Sequence, residues 1–276
     1  MSTSDAYIHG TDPAEQERLS RLNDLLNAQS LARLRVEPGA RVLDIGCGLG
    51  QLTRAMARAA GESGRVVGIE RSREQIDEGR RQANAAGEGK LLDVREGDAG
   101  DPPLRDDEWG TFDIVHARFV LEHVADPLRV VRAMVRAAKP GGRIVLEDDD
   151  HEVMRFHPAI PEFEAAWHAY MRTYVAVGND PMIGRKLPAL LVEAGAVARA
   201  NDWPFFGTCQ GSDTFPMLVS NCRRIMVGAR DAIVTHGGLS PEAFDAGLRA
   251  YDRWSRTPGA ALWYCTCWAE GIRPAA

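Results

Sequence analysis

The 276-residue sequence contains no run of about 18 consecutive apolar residues, so we expect no membrane-spanning helix. Residues 1–10 lack the basic and apolar regions of a secretory leader. No internal repeat and no low-complexity linker divides the chain. Its 45% hydrophobic and 26% charged residues are typical of a globular protein that buries a sizeable core. These features predict a cytoplasmic protein with no membrane partner.

The sequence also lacks an excess of basic residues and has few cysteines. Its 33 basic and 39 acidic residues give a net charge of −6, whereas binding to nucleic-acid phosphates needs a basic surface. The five cysteines are scattered, and no Cys/His set stands at the spacing of a zinc site. We therefore expect no nucleic-acid partner, reduced structural thiols and no metal site.

The most informative segment is 42–50, with the sequence VLDIGCGLG. An apolar strand ends at Asp44, and glycines at every second position then lead into a helical run over 51–60. Glycine lets the backbone turn sharply and approach a ligand closely. The carboxylate would repel a phosphate, and the last glycine comes one residue earlier than in the dinucleotide pattern G-x-G-x-x-G. The loop therefore favours a phosphate-free nucleoside with positively charged groups over NAD.

Further segments follow in the order expected of successive strands and the loops at their ends: 65–70 (RVVGIE), 96–99 (EGDA), 112–117 (FDIVHA) with 121–124 (LEHV), and 139–146 (KPGGRIVL). Together with the glycine loop, they resemble the motifs of the class I S-adenosylmethionine-dependent methyltransferases, with a core similar to that of the ubiquinone and menaquinone methyltransferases. The resemblance covers 40–150 and extends only loosely into the flanks.

The alternation of strands and helices from Arg41 onward predicts a parallel sheet with right-handed crossovers. Ligands bind such sheets at the carboxyl ends of the strands, where the strand order reverses. The resemblance implies an α/β fold with a doubly wound, seven-stranded, mostly parallel sheet of the Rossmann-like methyltransferase type. We expect an N-terminal helical lid at 1–35, a cofactor-binding core at 36–206 and 261–276, and a helical cap at 207–260 inserted before the last strand.

Local patterns predict further elements outside the central motifs. Asp12-Pro13 followed by Glu15 is typical of a helix start, and residues 7–10 just before it could belong to the lid. The remaining expected elements are helices over 161–177, 187–193, 213–230 and 241–255, and strands over 197–206 and 262–269.

The resemblance implies S-adenosyl-L-methionine as the cofactor. Glu70 would accept hydrogen bonds from the ribose hydroxyls, and Asp98 with the Ala99 amide would read the adenine edge. The alternatives are a solvated surface acid and a turn-forming Asp. Arg118 would bind the cofactor's carboxylate or form a structural ion pair. The other cofactor-binding candidates lie in the glycine loop or beside it and after the second strand: Asp44, Gly46, Cys47, Gly48, Gln51 and Arg71.

Three residues that follow the fourth strand or end the fifth are candidates for catalysis: His123, Asp148 and His151. His123 could act as a general base, pack on the cofactor or be a hydrogen-bonded structural residue. The run 147–151 (EDDDH) carries four successive carboxylates, which raise one another's pKa at close range. It could bind an amine or a metal-bound diol, use one Asp with His151 as a base on a hydroxyl, or be a solvated loop.

The resemblance implies methyl transfer from S-adenosylmethionine to a small organic acceptor. Aromatic residues over 163–174 and 203–206 favour a largely apolar acceptor, such as an aromatic or polyketide-like metabolite. Oxygen is the favoured target atom, and nitrogen or carbon transfer, including quinone-ring methylation, is the alternative. A catalytically silent nucleoside-binding module and an NAD oxidoreductase are the rival functions, and whether the chain forms a homodimer stays open.

Overall fold

The computed structural model describes residue 24 and residues 26–275 of the chain. The first helix, α1, includes residues 26–34. The helix start predicted at Asp12 and the segment 7–10 lie outside the described residues, as does most of the lid predicted at 1–35. No helix in the described part of the chain combines the length and apolar character needed to cross a bilayer.

Among the described residues, nine strands form one sheet: β1 (Arg41–Ile45), β2 (Arg65–Glu70), β3 (Asp93–Glu96), β4 (Phe112–Arg118), β5 (Ala138–Asp149), β6 (Arg155–His157), β7 (Val197–Asp202), β8 (Phe205–Cys209) and β9 (Ala261–Ile272). Strands β3, β2, β1, β4 and β5 lie in that order and pair in parallel. β9 pairs antiparallel with β5 and, on its other side, with β7. The predicted doubly wound, mostly parallel α/β sheet is confirmed.

β1 lies at the point where the strand order reverses. It pairs with β2 on one side and β4 on the other, so that Ile45 stands opposite both Ile69 and Ala117. The carboxyl ends of these three strands therefore meet at one edge of the sheet. In doubly wound sheets the crevice at this reversal is where ligands bind. The fold thus brings the candidate residues of the first, second and fourth strands together.

The remaining helices are α2 (Gln51–Ala60), α3 (Arg73–Ala85), α4 (Pro127–Ala137), α5 (Pro161–Ala176), α6 (Leu187–Glu193), α7 (Phe215–Gly228), α8 (Arg230–His236) and α9 (Pro241–Trp254). Local caps fix the starts of the second and third crossover helices. Ser72 Oγ accepts a hydrogen bond from Gln75 N, and Asp126 Oδ1 accepts one from Arg129 N at 2.9 Å. Such caps satisfy N–H groups that have no partner within the helix.

Both faces of the sheet are covered, which explains the nearly continuous apolar runs in its central strands. On one face, Leu43 of β1 and Met134 of α4 belong to the same buried cluster. On the other face, Val42 belongs to a cluster with Met56 of α2 and Leu34 of α1. The central strands are therefore held from both sides.

A second hydrophobic core lies among α5, α7, α8 and α9. Its fully buried aromatic side chains include Phe163, Tyr170, Tyr174, Phe244 and Tyr251. Although α5 falls within the range assigned from the sequence to the cofactor-binding core, its side chains pack with the helices of the predicted cap. The division at 207–260 remains a proposal, and α5 shares a core with the helices in that range.

The C-terminal elements differ from the predicted bounds. The strand expected over 197–206 is two strands, β7 and β8, separated near Pro204, which has no N–H to donate to a strand ladder. The helix expected over 213–230 ends at Gly228, and α8 begins at Arg230. β9 is longer than predicted, and its first half pairs with β6 and β8. Within the part of the chain that the structure describes, the sheet therefore has nine strands, where seven were expected.

The packing of α4 generates a stability prediction. Met134→Ala should lower the free energy of unfolding by about 2–5 kcal/mol, because it leaves a cavity at a fully buried position against the sheet. The matched control is Arg132→Ala on the exposed side of the same helix, with an expected change within about 0.5 kcal/mol. Urea denaturation measures both. Equal effects of the two substitutions would contradict the described orientation of α4.

Candidate active site

The glycine loop after β1 is pinned to the end of β2 and leaves bare backbone facing the crevice. The amides of Gly46 and Cys47 both donate to the carbonyl oxygen of Ile69, at 2.8 and 3.0 Å. Gly46 has a φ of 67°, and a Cβ there would lie 2.3 Å from Val120 Cγ2. Gly48 also has a positive φ, at 54°. Only glycine fits these two positions without strain.

Two adjoining cavities open at this edge of the sheet. The first, the Glu70 cavity, has a volume of about 380 Å³ and is lined by Glu70, Arg71, Asp98 and Ala99, among others. The second, the His151 cavity, has about 270 Å³ and is lined by Asp44, Cys47, Gln51, Arg118 and His151, among others. The residues shared by the two cavities are Gly46, Gly48, Gln75, Phe119 and His123. Every predicted cofactor-binding residue therefore lines one cavity or the other.

Glu70 is buried at the end of β2 and is held by backbone amides. Its Oε2 accepts a hydrogen bond from Gly48 N at 3.0 Å, and its Oε1 accepts one from Ser72 N at 2.8 Å. Each carboxylate oxygen keeps a further acceptor position. The alternative of a solvated surface acid is wrong, because Glu70 is only 8% exposed.

Asp44 is buried beneath the loop, and both of its oxygens have protein partners. Thr53 Oγ1 donates to Asp44 Oδ2 at 2.6 Å, and His116 Nδ1 lies 2.8 Å from Oδ1. His116 stands directly opposite Asp44 in the register of β1 and β4. Sequence reasoning missed both partners, because the register that pairs β1 with β4 cannot be read from local patterns.

Two loop neighbours differ in their chemistry. Gln51 Oε1 is buried and has no hydrogen-bond partner among the described residues, which makes it an acceptor open to a ligand donor. Burial, reinforced by the charges of Asp44 and Glu70, raises the pKa of the Cys47 thiol well above its usual value. Cys47 is therefore a neutral wall of the His151 cavity.

Asp98 and Arg118 have protein partners as well. Asp98 Oδ1 accepts a hydrogen bond from Gly100 N at 2.9 Å, and its side chain is exposed in the turn after β3.

Arg118 donates to Ser30 Oγ at 3.0 Å and to Asn27 Oδ1 at 2.6 Å, both in α1. Burial lowers the pKa of Arg118, while nearby carboxylates oppose that shift. Arg118 thus ties α1 to the end of β4.

Asp148 does not line either cavity. Its Oδ2 accepts hydrogen bonds from the amides of Val120 and Leu121, at 3.2 and 2.8 Å, and its Oδ1 accepts one from Asp149 N at 3.0 Å. This geometry gives Asp148 a positioning role: it holds the short turn Leu121–His123 against the end of β5. The expectation that Asp148 acts on a substrate finds no support in this arrangement.

Glu122 links the two candidate histidines, and sequence reasoning missed it. Its Oε2 lies 2.9 Å from His151 Nε2, and its Oε1 lies 3.4 Å from His123 Nε2. Glu122 is 3% exposed, and burial raises its pKa to about 8. The only sequence signal was an acid beside His123, with nothing to indicate a partner 29 residues later.

His151 is held in an aromatic surrounding supplied by α5. Trp167 Nε1 donates to its carbonyl oxygen at 2.8 Å, and its ring meets Trp167, Tyr170 and Tyr174 edge-on, with centroids 5.2–5.6 Å apart. Burial lowers the pKa of His151, which favours the neutral ring. Its Nδ1 is enclosed and has no hydrogen-bond partner among the described residues.

The run 147–150 is not a solvated loop, and that alternative is wrong. Asp149 accepts a hydrogen bond from Tyr264, and burial together with Glu122 raises its pKa well above the usual value. Asp150 is fully buried and pairs with Arg185, with Nη2 2.9 Å from its Oδ1. Each acid of the run has its own partner, contributed by a distant part of the chain.

Glu122, Asp149 and His151 each bring one ligand-type atom within 4.8 Å of the others. That spacing alone would admit a metal ion. Glu122 is bonded to His151 and Asp149 to Tyr264, so hydrogen bonds join these residues into one network.

The apolar wall of the His151 cavity comes from several elements. Its side chains are Leu218, Cys222 and Ile225 of α7, together with Met154, Trp167, Phe206 and Leu262. Asn221 of α7 adds one amide to this wall. The cavity thus combines an apolar wall with the network of Glu122, His123 and Asp149.

Comparisons with known proteins agree with this geometry. A family described as a methyltransferase domain matches residues 43–146. A demethylmenaquinone methyltransferase from Lysinibacillus sphaericus is 31% identical over 213 residues, which cover 70% of this chain and 88% of that protein. An uncharacterized 37.1 kDa transposon protein from Streptomyces fradiae is 34% identical over 60% of this chain, which spans 46% of that protein's length.

The solved structures support the fold. The YcgJ protein from Bacillus subtilis superimposes with a TM-score of 0.58 at 19% identity, covering 91% of this chain and 98% of that one. This likeness concerns the fold alone, whereas the identity to the L. sphaericus enzyme extends over nearly its whole length. With the glycine loop, the acid ending β2 and the strand order all in place, the chain belongs to the class I S-adenosylmethionine-dependent methyltransferases.

Proposed function

We propose that this enzyme uses S-adenosylmethionine to methylate a hydroxyl oxygen of a small, largely apolar acceptor bound in the His151 cavity. The observation that carries the proposal is the composition of that cavity, which is lined both by apolar side chains and by a network of Glu122, His123 and Asp149. A hydroxyl loses its proton when its oxygen gains a methyl group, and such a network can accept that proton.

The Glu70 cavity fits the nucleoside half of the cofactor. Gly46 and Gly48 offer bare backbone where a Cβ would collide with or crowd neighbouring side chains. Glu70 would accept hydrogen bonds from the ribose hydroxyls through the free acceptor positions of its carboxylate. Asp98, with the amide of Ala99, would contact the adenine, and Arg71 borders the same cavity.

The methionine end of the cofactor fits the residues around the glycine loop. The unpartnered Gln51 Oε1 and the buried charge of Asp44 would favour its ammonium group. Cys47 would contact it as a neutral side chain. Arg118 donates hydrogen bonds to Asn27 and Ser30 of α1, which gives it a structural role at the end of β4.

When bound, the cofactor supplies a methyl group made electrophilic by a sulfonium. The residues of this chain then orient the acceptor, exclude water and receive a proton. Orientation by the apolar wall can contribute about 7–11 kcal/mol in well-aligned cases. His123 lines both cavities, and it would accept the hydroxyl proton at a ring nitrogen while Glu122 holds the ring. Such a base contributes roughly 10²–10⁴-fold in rate.

A second candidate is methylation of a ring carbon. It is favoured by the relatives named demethylmenaquinone methyltransferases. A ring carbon also loses a proton after gaining a methyl group, so the same network would serve. The two candidates differ in the acceptor and not in the residues that hold the cofactor.

Cofactor binding tests the first half of the proposal. Glu70→Ala should weaken binding of S-adenosylhomocysteine by about 10- to 150-fold, because hydrogen bonds to a charged group contribute about 1.5–3 kcal/mol. Glu74→Ala, an exposed acid in the first turn of α3, is the matched control and should leave the affinity unchanged. Isothermal titration calorimetry measures both. Equal affinities for the two variants, or tight binding of NAD to the unmodified protein, would contradict the assignment.

Filling the acceptor cavity tests the second half. Leu218→Trp on the wall of the His151 cavity should reduce methyl transfer to hydroxylated aromatic compounds by at least about tenfold, because the added ring displaces the acceptor. Affinity for S-adenosylhomocysteine should stay within about twofold. Val227→Trp, exposed on the same helix, is the control.

Transfer of labelled methyl groups to a panel of such compounds provides the readout. If the unmodified protein methylates none of them on oxygen, the proposed acceptor class fails. If Leu218→Trp leaves turnover unchanged, the acceptor does not occupy this cavity.

A further inference from the structure

Two carboxylates line the His151 cavity, the buried Glu122 and the half-buried Asp149, and the buried Asp148 lies next to them. Among the described residues, no lysine or arginine forms an ion pair with Glu122, Asp148 or Asp149. Buried acids elsewhere in the fold are paired with arginine: Glu108 with Arg95, and Asp150 with Arg185. The cluster therefore differs from the structural ion pairs of the same protein.

An ionised carboxylate in an apolar surrounding is costly unless a positive charge or hydrogen bonds compensate it. Three backbone amides donate to Asp148, although burial and the charge of Glu122 still raise its pKa well above the usual value. Glu122 and Asp149, unlike Asp148, line the His151 cavity. Arg118 lines the same cavity and its charge acts on Asp149, yet burial raises the pKa of both acids and so favours their protonated forms.

The sulfonium of the cofactor is a cation that belongs near this pair. The sulfonium sulfur joins the nucleoside of the cofactor to its methionine chain. The Glu70 cavity fits the nucleoside, and the residues around the glycine loop fit the methionine chain. The sulfur therefore belongs where the two cavities meet, at the residues they share. His123 is one of those residues, and its Nε2 lies 3.4 Å from Glu122 Oε1.

We propose that Glu122 and Asp149 together bind one proton fewer when the sulfonium cofactor is bound than when the neutral thioether product is bound, so that the pair is the final store for the proton that the acceptor loses. The inference rests on the proposed function and deepens it. It makes Glu122 and Asp149 sensors of the cofactor's charge, and it assigns the acceptor to molecules that release a proton on methylation.

The balance of the step is complete within the site. The S–CH₃ bond breaks and its electron pair stays on sulfur, while an O–CH₃ bond forms and the acceptor O–H bond breaks. His123 receives the proton and passes it to Glu122. The positive charge that disappears from sulfur is thus replaced by a proton on the acid pair, and the net charge of the buried site stays constant.

The pair titrates together with its neighbour Asp148, whose pKa is raised by burial and by the charge of Glu122. The titratable and charged groups that face it are His123, Glu147, Asp148, His151, Tyr170, Tyr174, Tyr264 and Arg118. Burial raises the pKa of Tyr170 and Tyr174 and lowers that of His151, so these three are neutral. Arg118 donates hydrogen bonds to Asn27 and Ser30 of α1, and its charge also acts on Asp149.

Calorimetry in two buffers of different ionisation enthalpy measures the number of protons released or taken up when a ligand binds. The measurement needs no methyl acceptor. With the chelator EDTA present, S-adenosylmethionine should release up to about one proton more than S-adenosylhomocysteine at pH 7, because a group with a pKa of about 8 is roughly nine-tenths protonated there. At pH 9.5 the contribution of Glu122 to the difference should vanish. Below pH 8, each unit of acidification should weaken binding of the sulfonium compound relative to the thioether by up to about tenfold.

Two conservative variants and one control locate the proton. Glu122→Gln should remove most of the difference, and Asp149→Asn should reduce it, while both variants keep their affinity for S-adenosylhomocysteine within about threefold. Glu152→Gln, a half-exposed acid bonded to Arg185 in the following turn, should retain the full difference. If Glu122→Gln fails to fold, Asp149→Asn alone provides the test.

The outcomes separate the inference from the function it rests on. Failure of both ligands to bind would overturn the proposed function. Binding of both with the same proton release, or an unchanged difference in Glu122→Gln and Asp149→Asn, would overturn the inference alone. A difference that arises only after Mn²⁺ is added would also overturn it, because the acids would then serve a metal ion.

Discussion

The site depends on the parallel pairing of β1 between β2 and β4. This register places Asp44 of β1 opposite Gly68 on one side and His116 on the other. A Cβ at position 68 would lie 2.7 Å from Cys47 Sγ, so the glycine leaves room for the loop that follows β1. A slip of one residue would turn Asp44 to the opposite face of the sheet. The pairing of these strands therefore stabilises the fold and also positions the residues at the base of both cavities.

Sequence patterns predicted the parts of the site that are local in the chain. The glycine loop needs positive φ angles at successive short intervals, and Glu70 ends an apolar strand, so both could be recognised from neighbouring residues. The contacts of His116, Glu122 and Asp148 could not, because each depends on a register or on a partner 27 or more residues away. For the same reason the acidic run suggested a solvated loop, although its partners bury it.

The network of Glu122, Asp148 and Asp149 is a cost to the fold. Buried carboxylates without a cation destabilise a protein relative to apolar side chains, and the ion-paired Glu108 shows that this chain can compensate such a charge where only structure is needed. A conflict between local chemistry and stability is expected at functional sites. Glu122 lies in the turn after β4 and Asp149 at the end of β5, and both line the His151 cavity.

The second hydrophobic core gives this network its sensitivity to charge. The rings of Trp167, Tyr170 and Tyr174 surround His151. His151 in turn forms a hydrogen bond with the Glu122 carboxylate. Electrostatic interactions strengthen as water is excluded, because the effective dielectric constant falls. A cap that only shaped an acceptor pocket could present polar side chains behind the acids. Aromatic side chains there instead make the protonation of the acids sensitive to any charge that enters the cavity. The aromatic composition of α5 is therefore part of the chemistry of the site.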